Sequence, residues 1–243
     1  MINILIPLAG SNQFFNSSDY LYPKLLVEIN QKTIIDYVIN NLNSIKEEKQ
    51  FIFIVSTEDI KKYHLHNILN LLTNHKCKII ELENSTKGAL CSSLMAIDYI
   101  NNEDSLLISN SDQLINSNLN EVIDHFKTYD GGVISFNSIH PRWSYVKLDN
   151  NGFIIQTAEK KPISKNAIAG FYYFKNGRDF CSSAMNVIRK DSNLNGLYYI
   201  SSSLNEMVLD NKKLMVYELD INQYHTFYTP QKIKDYERLL QCQ

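Results

Sequence analysis

An α/β protein built on a central, mostly parallel sheet is what these 243 residues predict, and three observations point there. Short β-branched runs alternate with longer amphipathic segments in the first half. The second half changes to closely spaced strands with a hairpin signal. Hydrophobic residues make up 44 % of the chain, enough for a packed core without covalent staples.

Taken in order, Ile2 to Ile6 (INILI), Phe51 to Ser56 (FIFIVS), Lys78 to Leu82 (KIIEL) and Ser105 to Ser109 (SLLIS) read as buried strands. Thr33 to Leu42, Ile60 to Leu72 and Gly88 to Ile100 carry apolar residues at helical spacing between them. This βαβαβ order predicts helices on both faces and a ligand crevice beyond the carboxyl ends of the strands. Ser144 to Leu148 (SYVKL), Phe153 to Glu159 (FIIQTAE) and Ala167 to Phe174 (AIAGFYYF) then read as strands, the first two joined by a turn at Asn150-Asn151-Gly152. Helices follow at Asp179 to Lys190 and Ile200 to Asn211, then a strand at Lys213 to Glu218 and a closing helix from Thr229. No Pro/Gly/Ser linker, internal repeat or low-complexity tail interrupts the pattern, so one domain is expected over residues 1–243, with its halves at 1–136 and 137–243.

Composition excludes several classes. A formal charge of -2 and a pI near 6.3 leave no clustered basic face for a nucleic acid backbone. The four cysteines, Cys77, Cys91, Cys181 and Cys242, have no metal or redox spacing, which fits a reduced, cytoplasmic setting. No run reaches the roughly 18 apolar residues needed to span a bilayer, so membrane insertion is not expected.

Candidate chemistry gathers after strands. Ala9-Gly10-Ser11-Asn12 follows the first strand, and its backbone NH groups suit a phosphate if the turn forms a nest, although a lone glycine suits an ordinary loop as well. Asp112, in NSDQ after the fourth strand, has the position of a Mg²⁺ ligand, or of a helix cap. Lys24 follows Pro23, which restricts the backbone and aims the lysine; near phosphates it would offset charge developing in phosphoryl or nucleotidyl transfer. Glu159-Lys160 ends a strand, where a solvated charge pair is the plain alternative. His64 and His66 stand two apart on a predicted helix and point in different directions, and His125 suits the surface of an amphipathic helix. Ser92-Ser93 and Ser201-Ser202-Ser203 lie in no G-x-S-x-G elbow, so a hydrolase triad has no support.

The order PLAG, YPKLLVEINQKTIIDYVINNL, STKGALCSSLMAI, LLISNSDQ, SYVKLDNNGFIIQTAEKKP, AGFYYF, NGLYYISSSLNEM and TPQKIKDYE resembles the sugar-phosphate nucleotidylyltransferases across nearly the whole chain. Within them it is similar to proteins of capsule and lipopolysaccharide loci. The resemblance implies a Rossmann-like, glycosyltransferase-A-type three-layer α/β/α sandwich, with a nucleotide-binding first half and an acceptor-binding second half. It implies that Leu8, Ala9, Gly10, Ser11 and Asn12 line the nucleotide, that Lys24 contacts the triphosphate and that Lys87, Gly88 and Ala89 lie by the base. It further implies Mg²⁺ on Asp112, and an acceptor held by Trp143, Ser144, Glu159, Lys160, Gly170 and Asn205. Lys24, Asp112 and Lys160 would be the catalytic set.

Two departures stand out. The family's first loop usually reads GxGxR, whereas GSNQFF puts Asn12 at the second glycine and Phe14 near the arginine, removing a bidentate phosphate contact that lysine cannot copy. The Phe14-Phe15 pair also suits a plug that packs the loop onto the domain. Where many members carry a second metal-binding Asp, this chain has DINQYHTFYTP, with Asp220 or His225 as substitutes.

The expected reaction is nucleotidyl transfer from an NTP to a phosphorylated sugar or polyol in surface-polysaccharide synthesis. The alternatives are a metal-dependent glycosyltransferase using an NDP-sugar and a non-catalytic sugar-nucleotide-binding protein. Compact members of the fold often use CTP or another pyrimidine nucleotide, and Lys87 to Ala89 do not decide the base. The Tyr-rich second half (Tyr172, Tyr173, Tyr198, Tyr199) suits a core better than an interface, and a homo-oligomer is compatible with it.

Overall fold

The computed structural model describes residues 1–10, 15 and 21–241. The chain opens with β1 (Ile2–Pro7), a 3-10 turn at Lys24–Leu26, and the short pair β2 (Glu28–Ile29) and β3 (Lys32–Thr33). Then follow α1 (Ile34–Asn43), β4 (Lys49–Ser56), α2 (Thr57–Tyr63), α3 (Leu65–Leu72), β5 (Cys77–Leu82), α4 (Ala89–Leu94), α5 (Ile97–Ile100), β6 (Ser105–Ser109), β7 (Gln113–Ile115) and α6 (Leu119–Lys127). The second half comprises β8 (Gly131–Asn137), β9 (Ser144–Leu148), β10 (Ile154–Glu159), β11 (Asn166–Phe174), α7 (Gly177–Arg189), α8 (Ile200–Leu209), β12 (Leu214–Leu219), β13 (Tyr224–Thr226) and α9 (Pro230–Gln241).

A nine-stranded mixed sheet organises these elements. β5, β4, β1 and β6 lie side by side in that order and run parallel, as the βαβ pattern predicts. β11 then pairs antiparallel with β8 at both of its ends, and also with β6 through Phe171–Phe174 and with β9 through Asn166 and Ala167. β10 continues past β9 through the predicted hairpin, whose turn is held by Asp149 Oδ1 accepting from the amides of Asn151 and Phe153 at 2.8 and 2.9 Å. β12 adds to β8 in parallel. Buried strands have apolar residues on both faces, and each face has its own core. Ile4, Ile6, Phe51, Phe53 and Leu107 pack with α1 and α6; Leu5, Ile52, Ile54, Leu106 and Ile108 pack with α4, α7 and α8. This three-layer arrangement is the predicted fold.

Periodicity misreads three helices, and the short strands β2, β3, β7 and β13 are not predicted. The helix expected at 60–72 is two: His64 adopts φ 54°, a left-handed conformation that ends α2, and α3 restarts behind it. The helix expected at 88–100 is likewise two short ones, α4 and α5, separated at Met95-Ala96. The helix expected to end at Asn211 stops at Leu209, and a left-handed residue, Asn211 at φ 58°, follows. β8 is not predicted at all, because it begins with two glycines. They are packing glycines: a Cβ on Gly132 would stand 2.4 Å from the Phe126 ring, and one on Gly131 would stand 2.7 Å from the Tyr173 carbonyl.

Candidate active site

Four connections meet at the carboxyl ends of β1 and β6. Pro7, Ala9 and Gly10 leave β1; Ser85, Thr86, Gly88 and Ala89 lead into α4; Asn110, Ser111 and Asp112 leave β6; Leu197, Tyr199 and Ile200 lead into α8. They enclose a cavity of about 390 Å³. A second cavity of about 210 Å³ shares Ala89, Asn110, Tyr199 and Ile200 with it, so the two form one cleft. Arg142, Trp143, Ser144, Glu159, Ile168, Gly170 and Tyr172 complete the second wall.

The first cavity is lined mostly by small residues and backbone. Gly88 has φ 105°, and a Cβ there would meet the Tyr198 carbonyl at 2.4 Å. That contact lets the two loops interlock: Tyr198 N donates to Lys87 O at 2.8 Å and Leu90 N donates to Tyr198 O at 3.2 Å. Thr86 Oγ1 donates to Gly88 O at 3.0 Å and lies 2.7 Å from Ser92 Oγ, which fixes the same loop from below.

At the cavity's edge, Lys24 Nζ donates to Asp112 Oδ2 at 2.7 Å. These two residues are 88 apart in the chain and meet because the turn at Lys24–Leu26 folds under the β6 carboxyl end. Their side chains are only 18 % and 19 % exposed, so the pair is weakly screened by solvent. Among the described residues no donor reaches Asp112 Oδ1. The Asp112 carbonyl accepts from Phe227 N at 2.7 Å, which ties the β6 loop to the segment after β13.

The second cavity is a lattice of interlocked side chains. Glu159 Oε2 accepts from Ser144 Oγ in a short hydrogen bond and from Ser201 Oγ at 2.9 Å. Tyr172 is buried behind them; burial, reinforced by the Glu159 carboxylate, holds its phenol far above the ordinary range. Gly170 has φ 60°, and a Cβ there would fall 2.1 Å from Asn110 Nδ2. Its bare backbone accepts instead from Asn110 N and Gln113 Nε2, both at 2.9 Å, and so joins β11 to the β6 loop. Lys160 also has a left-handed backbone, at φ 53°, an arrangement that costs about 1–3 kcal/mol for a residue with a side chain. It turns Nζ onto the Tyr199 hydroxyl at 2.9 Å, at the boundary of the two cavities.

The structure therefore brings Ala9, Gly10, Gly88, Ala89 and Asp112 to one cavity and Trp143, Ser144, Glu159 and Gly170 to the other, with Lys24 and Lys160 at their edges. Ser11, Asn12 and Phe14 lie outside the described residues. Leu8 is buried in the core with its amide on Ile54 O, and Lys87 meets the α8 connection through its carbonyl.

Three expectations need correction. Asn205 does not line either cavity: its Oδ1 accepts from Thr157 N at 2.7 Å and its Nδ2 donates to Thr157 O at 3.1 Å, which uses up the amide on one peptide. Asp220 closes a capping box with Gln223 on the 3-10 turn at Ile221–Gln223. His225 packs its ring 5.0 Å from Tyr236 in a separate cavity with Lys232 and Asp235. Burial, followed by Lys232, lowers its pKa. Neither Asp220 nor His225 lines the cavity that holds Asp112. Among the described residues no three His, Cys, Asp or Glu side chains cluster as a metal cage.

Sequence reasoning missed Asn110, Arg142, Tyr172, Tyr199 and Ser201. Asn110 had a signal, since it stands two residues before Asp112 at a strand end. Arg142 had none, because the unrecognised β8 left its loop without a place.

The family model described as nucleotidyl transferase matches residues 13–223. No curated protein sequence matches the chain. Among solved structures, a nucleoside-diphosphate-sugar pyrophosphorylase from Vibrio cholerae RC9 superimposes with TM-score 0.84 at 22 % identity, over 98 % of this chain and 100 % of that one. A protein from Bacillus anthracis assigned as a glucose-1-phosphate thymidylyltransferase, in complex with sucrose, superimposes with TM-score 0.77 at 15 % identity, over 98 % and 95 %. At these identities the likeness is one of fold. No described helix is long and apolar enough to cross a membrane.

Proposed function

The chain belongs to the nucleotidyl transferase family, and from that premise we propose that it joins an NTP to a phosphorylated sugar or polyol and releases pyrophosphate. The observation that carries this reading is the Lys24–Asp112 ion pair at the edge of the first cavity, which Gly10 also lines and which opens into the second. We assign residues 1–136 to the nucleotide and 137–243 to the acceptor, within one domain.

In this mechanism the triphosphate lies along Ala9 and Gly10, with the base against Gly88 and Ala89. An acceptor phosphate oxygen attacks the α-phosphorus in line, the bond to the β-phosphate bridge breaks, and pyrophosphate leaves with its electron pair. Lys24 exchanges its carboxylate partner for triphosphate oxygens and offsets their charge. Lys160, steered by Tyr199, contacts the acceptor phosphate, while Ser144, Glu159 and Trp143 bound the rest of the acceptor. Little proton chemistry is needed, so positioning and charge stabilisation supply most of the acceleration.

The donor set fits Mg²⁺ shared with substrate: one carboxylate, Asp112, with Oδ1 unengaged, and no protein-only cage among the described residues. Mg²⁺ is commonly held by one or two carboxylates together with substrate phosphates. When bound, it would neutralise charge on the reacting phosphates. The resemblance to proteins of capsule and lipopolysaccharide loci supports a use of the product in surface-polysaccharide synthesis, as a cytoplasmic step.

Incubation with each NTP, Mg²⁺ and a panel of sugar and polyol phosphates tests the reading. Pyrophosphate release is expected with one pair. Nucleoside diphosphate release from an NDP-sugar would instead make the protein a glycosyltransferase, and tight binding without any product would make it non-catalytic.

A further inference from the structure

We propose that Arg142 is a second anion-binding residue for the acceptor, beside Lys160, and grips its phosphate from the second cavity through the free edge of the guanidinium. The proposal rests on the reading of that cavity as the acceptor site.

The chain has four arginines. Arg178 pairs with Glu103, Arg189 donates to Asn186 Oδ1 at 3.2 Å, and Arg238 is exposed on α9. Only Arg142 lines the cleft. Its Cζ lies 3.5 Å from the centroid of the Tyr228 ring and 5.3 Å from that of Trp143. A guanidinium stacked at this distance satisfies its face on the ring and leaves its N–H edge to donate. Among the described residues no carboxylate forms an ion pair with Arg142 and no acceptor takes a side-chain hydrogen bond from it. A half-buried cation whose five donors are unclaimed among the described residues is costly unless a ligand completes it.

The surroundings keep the group available. Glu159 lines the same cavity, yet its Oε2 is taken by Ser144 and Ser201 and it forms no ion pair with Arg142. The loop carrying Arg142 is pinned: Trp143 N donates to His140 O at 3.3 Å, and Tyr145 Oη donates to the same carbonyl at 2.6 Å. The stacking platform is pinned too, because Tyr228 follows Phe227, whose amide donates to the Asp112 carbonyl. The cation, its platform and Asp112 thus form one connected unit. A fork of N–H donors held this way matches two oxygens of a phosphate, which lysine cannot copy.

Trp143 is the only tryptophan and sits in the wall of this cavity, so its emission reports occupancy. The full chain is titrated with inorganic phosphate, followed by Trp143 fluorescence and by calorimetry, with acetate as the carboxylate control. Wild type is expected to saturate with phosphate. Arg142→Met should weaken binding about 10-fold or more, the scale of a lost charge-assisted hydrogen-bond pair, and Arg142→Lys should recover only part of it. Arg142→Gln, which keeps a polar stem, provides the same comparison if the methionine variant does not fold. Absence of saturable phosphate binding in wild type by both methods, saturation by acetate but not phosphate, or an unchanged constant in the folded variants would overturn the proposal. In turnover the acceptor KM should rise while the NTP KM stays constant. Loss of phosphate binding in the variants of a protein that releases no pyrophosphate would leave Arg142 as an anion site and remove the transferase reading. Pyrophosphate release with an unaltered acceptor KM would do the reverse.

Discussion

The two cavities of the cleft are built by opposite means. The first is walled mostly by small residues and backbone, with Leu197, Tyr199 and Ile200 on the α8 side, and its one charged pair, Lys24–Asp112, is a contact that a ligand can exchange. The second is walled by side chains already bound to one another: Ser144 and Ser201 on Glu159, Lys160 on Tyr199, Arg142 on Tyr228. A flexible polyphosphate is best served by bare backbone and mobile charge, whereas a compact acceptor is oriented by a surface whose rotamers are fixed in advance. The contrast predicts that substitutions on the first side damage chemistry more than stability, and that some on the second side do the opposite.

The largest effect is expected at Asp112. Asp112→Ala should lower the rate of pyrophosphate release about 1,000-fold, the scale of a lost electrostatic contact in the transition state, while far-UV circular dichroism stays that of wild type. Retained turnover in the folded variant would remove the carboxylate from the mechanism. Lys24→Met comes next, with a loss of about 100-fold in kcat. The same substitution should tighten Mn²⁺ binding, read by electron paramagnetic resonance, because Asp112 Oδ2 no longer carries a lysine. Equal or weaker Mn²⁺ binding would mean that the ion pair is a fixed strut rather than an exchangeable one.

On the second side, Asn205→Ala should cost roughly 2 kcal/mol of stability, since it strands both the N–H and the C=O of the buried Thr157 peptide. Denaturant unfolding checks the number. The accompanying change should be a raised acceptor KM, transmitted through Glu159 two residues along β10. A fully stable variant with a raised acceptor KM would return Asn205 to direct contact with the acceptor.

Asn205 also shows where sequence stops being informative. Its type and place in NGLYYISSSLNEM identify a polar residue near the acceptor site, but not which way an amide points once α8 lies on β10. The strands are different: INILI, FIFIVS and SLLIS are buried on both faces and KIIEL closes the sheet's edge with partly buried isoleucines, so burial alone writes a legible pattern. Asp112 and Gly10 follow from it, because strand ends of a parallel sheet share one edge. β8 was not legible because glycine ordinarily signals a turn, and only the Phe126 ring and the Tyr173 carbonyl explain why it is required in a strand. With β8 goes the loop that carries Arg142. His64 is the converse case: apolar spacing continues through it, and nothing in that spacing reports a left-handed backbone.

The smallest effect is expected at His225, and it separates the two cavities from a third region. If this imidazole joined Asp112 on a metal, Mn²⁺ affinity would fall in His225→Asn. In the structure it packs on Tyr236 next to Lys232, so the substitution should leave Mn²⁺ affinity unchanged and alter only the response to acid. Burial first, and Lys232 second, lower its folded pKa below the ordinary 6.5. The neutral ring is therefore the form that the fold favours. Its contribution is present above pH 6.5 and is lost as the pH falls through the folded value, because the unfolded chain takes up the proton more readily. Thermal melts from pH 7.5 down to 5 should show a steeper decline in wild type than in His225→Asn. Parallel slopes would mean that the ring is no more buried than a surface histidine, and an Mn²⁺ constant weakened by the same substitution would bring it back to the metal.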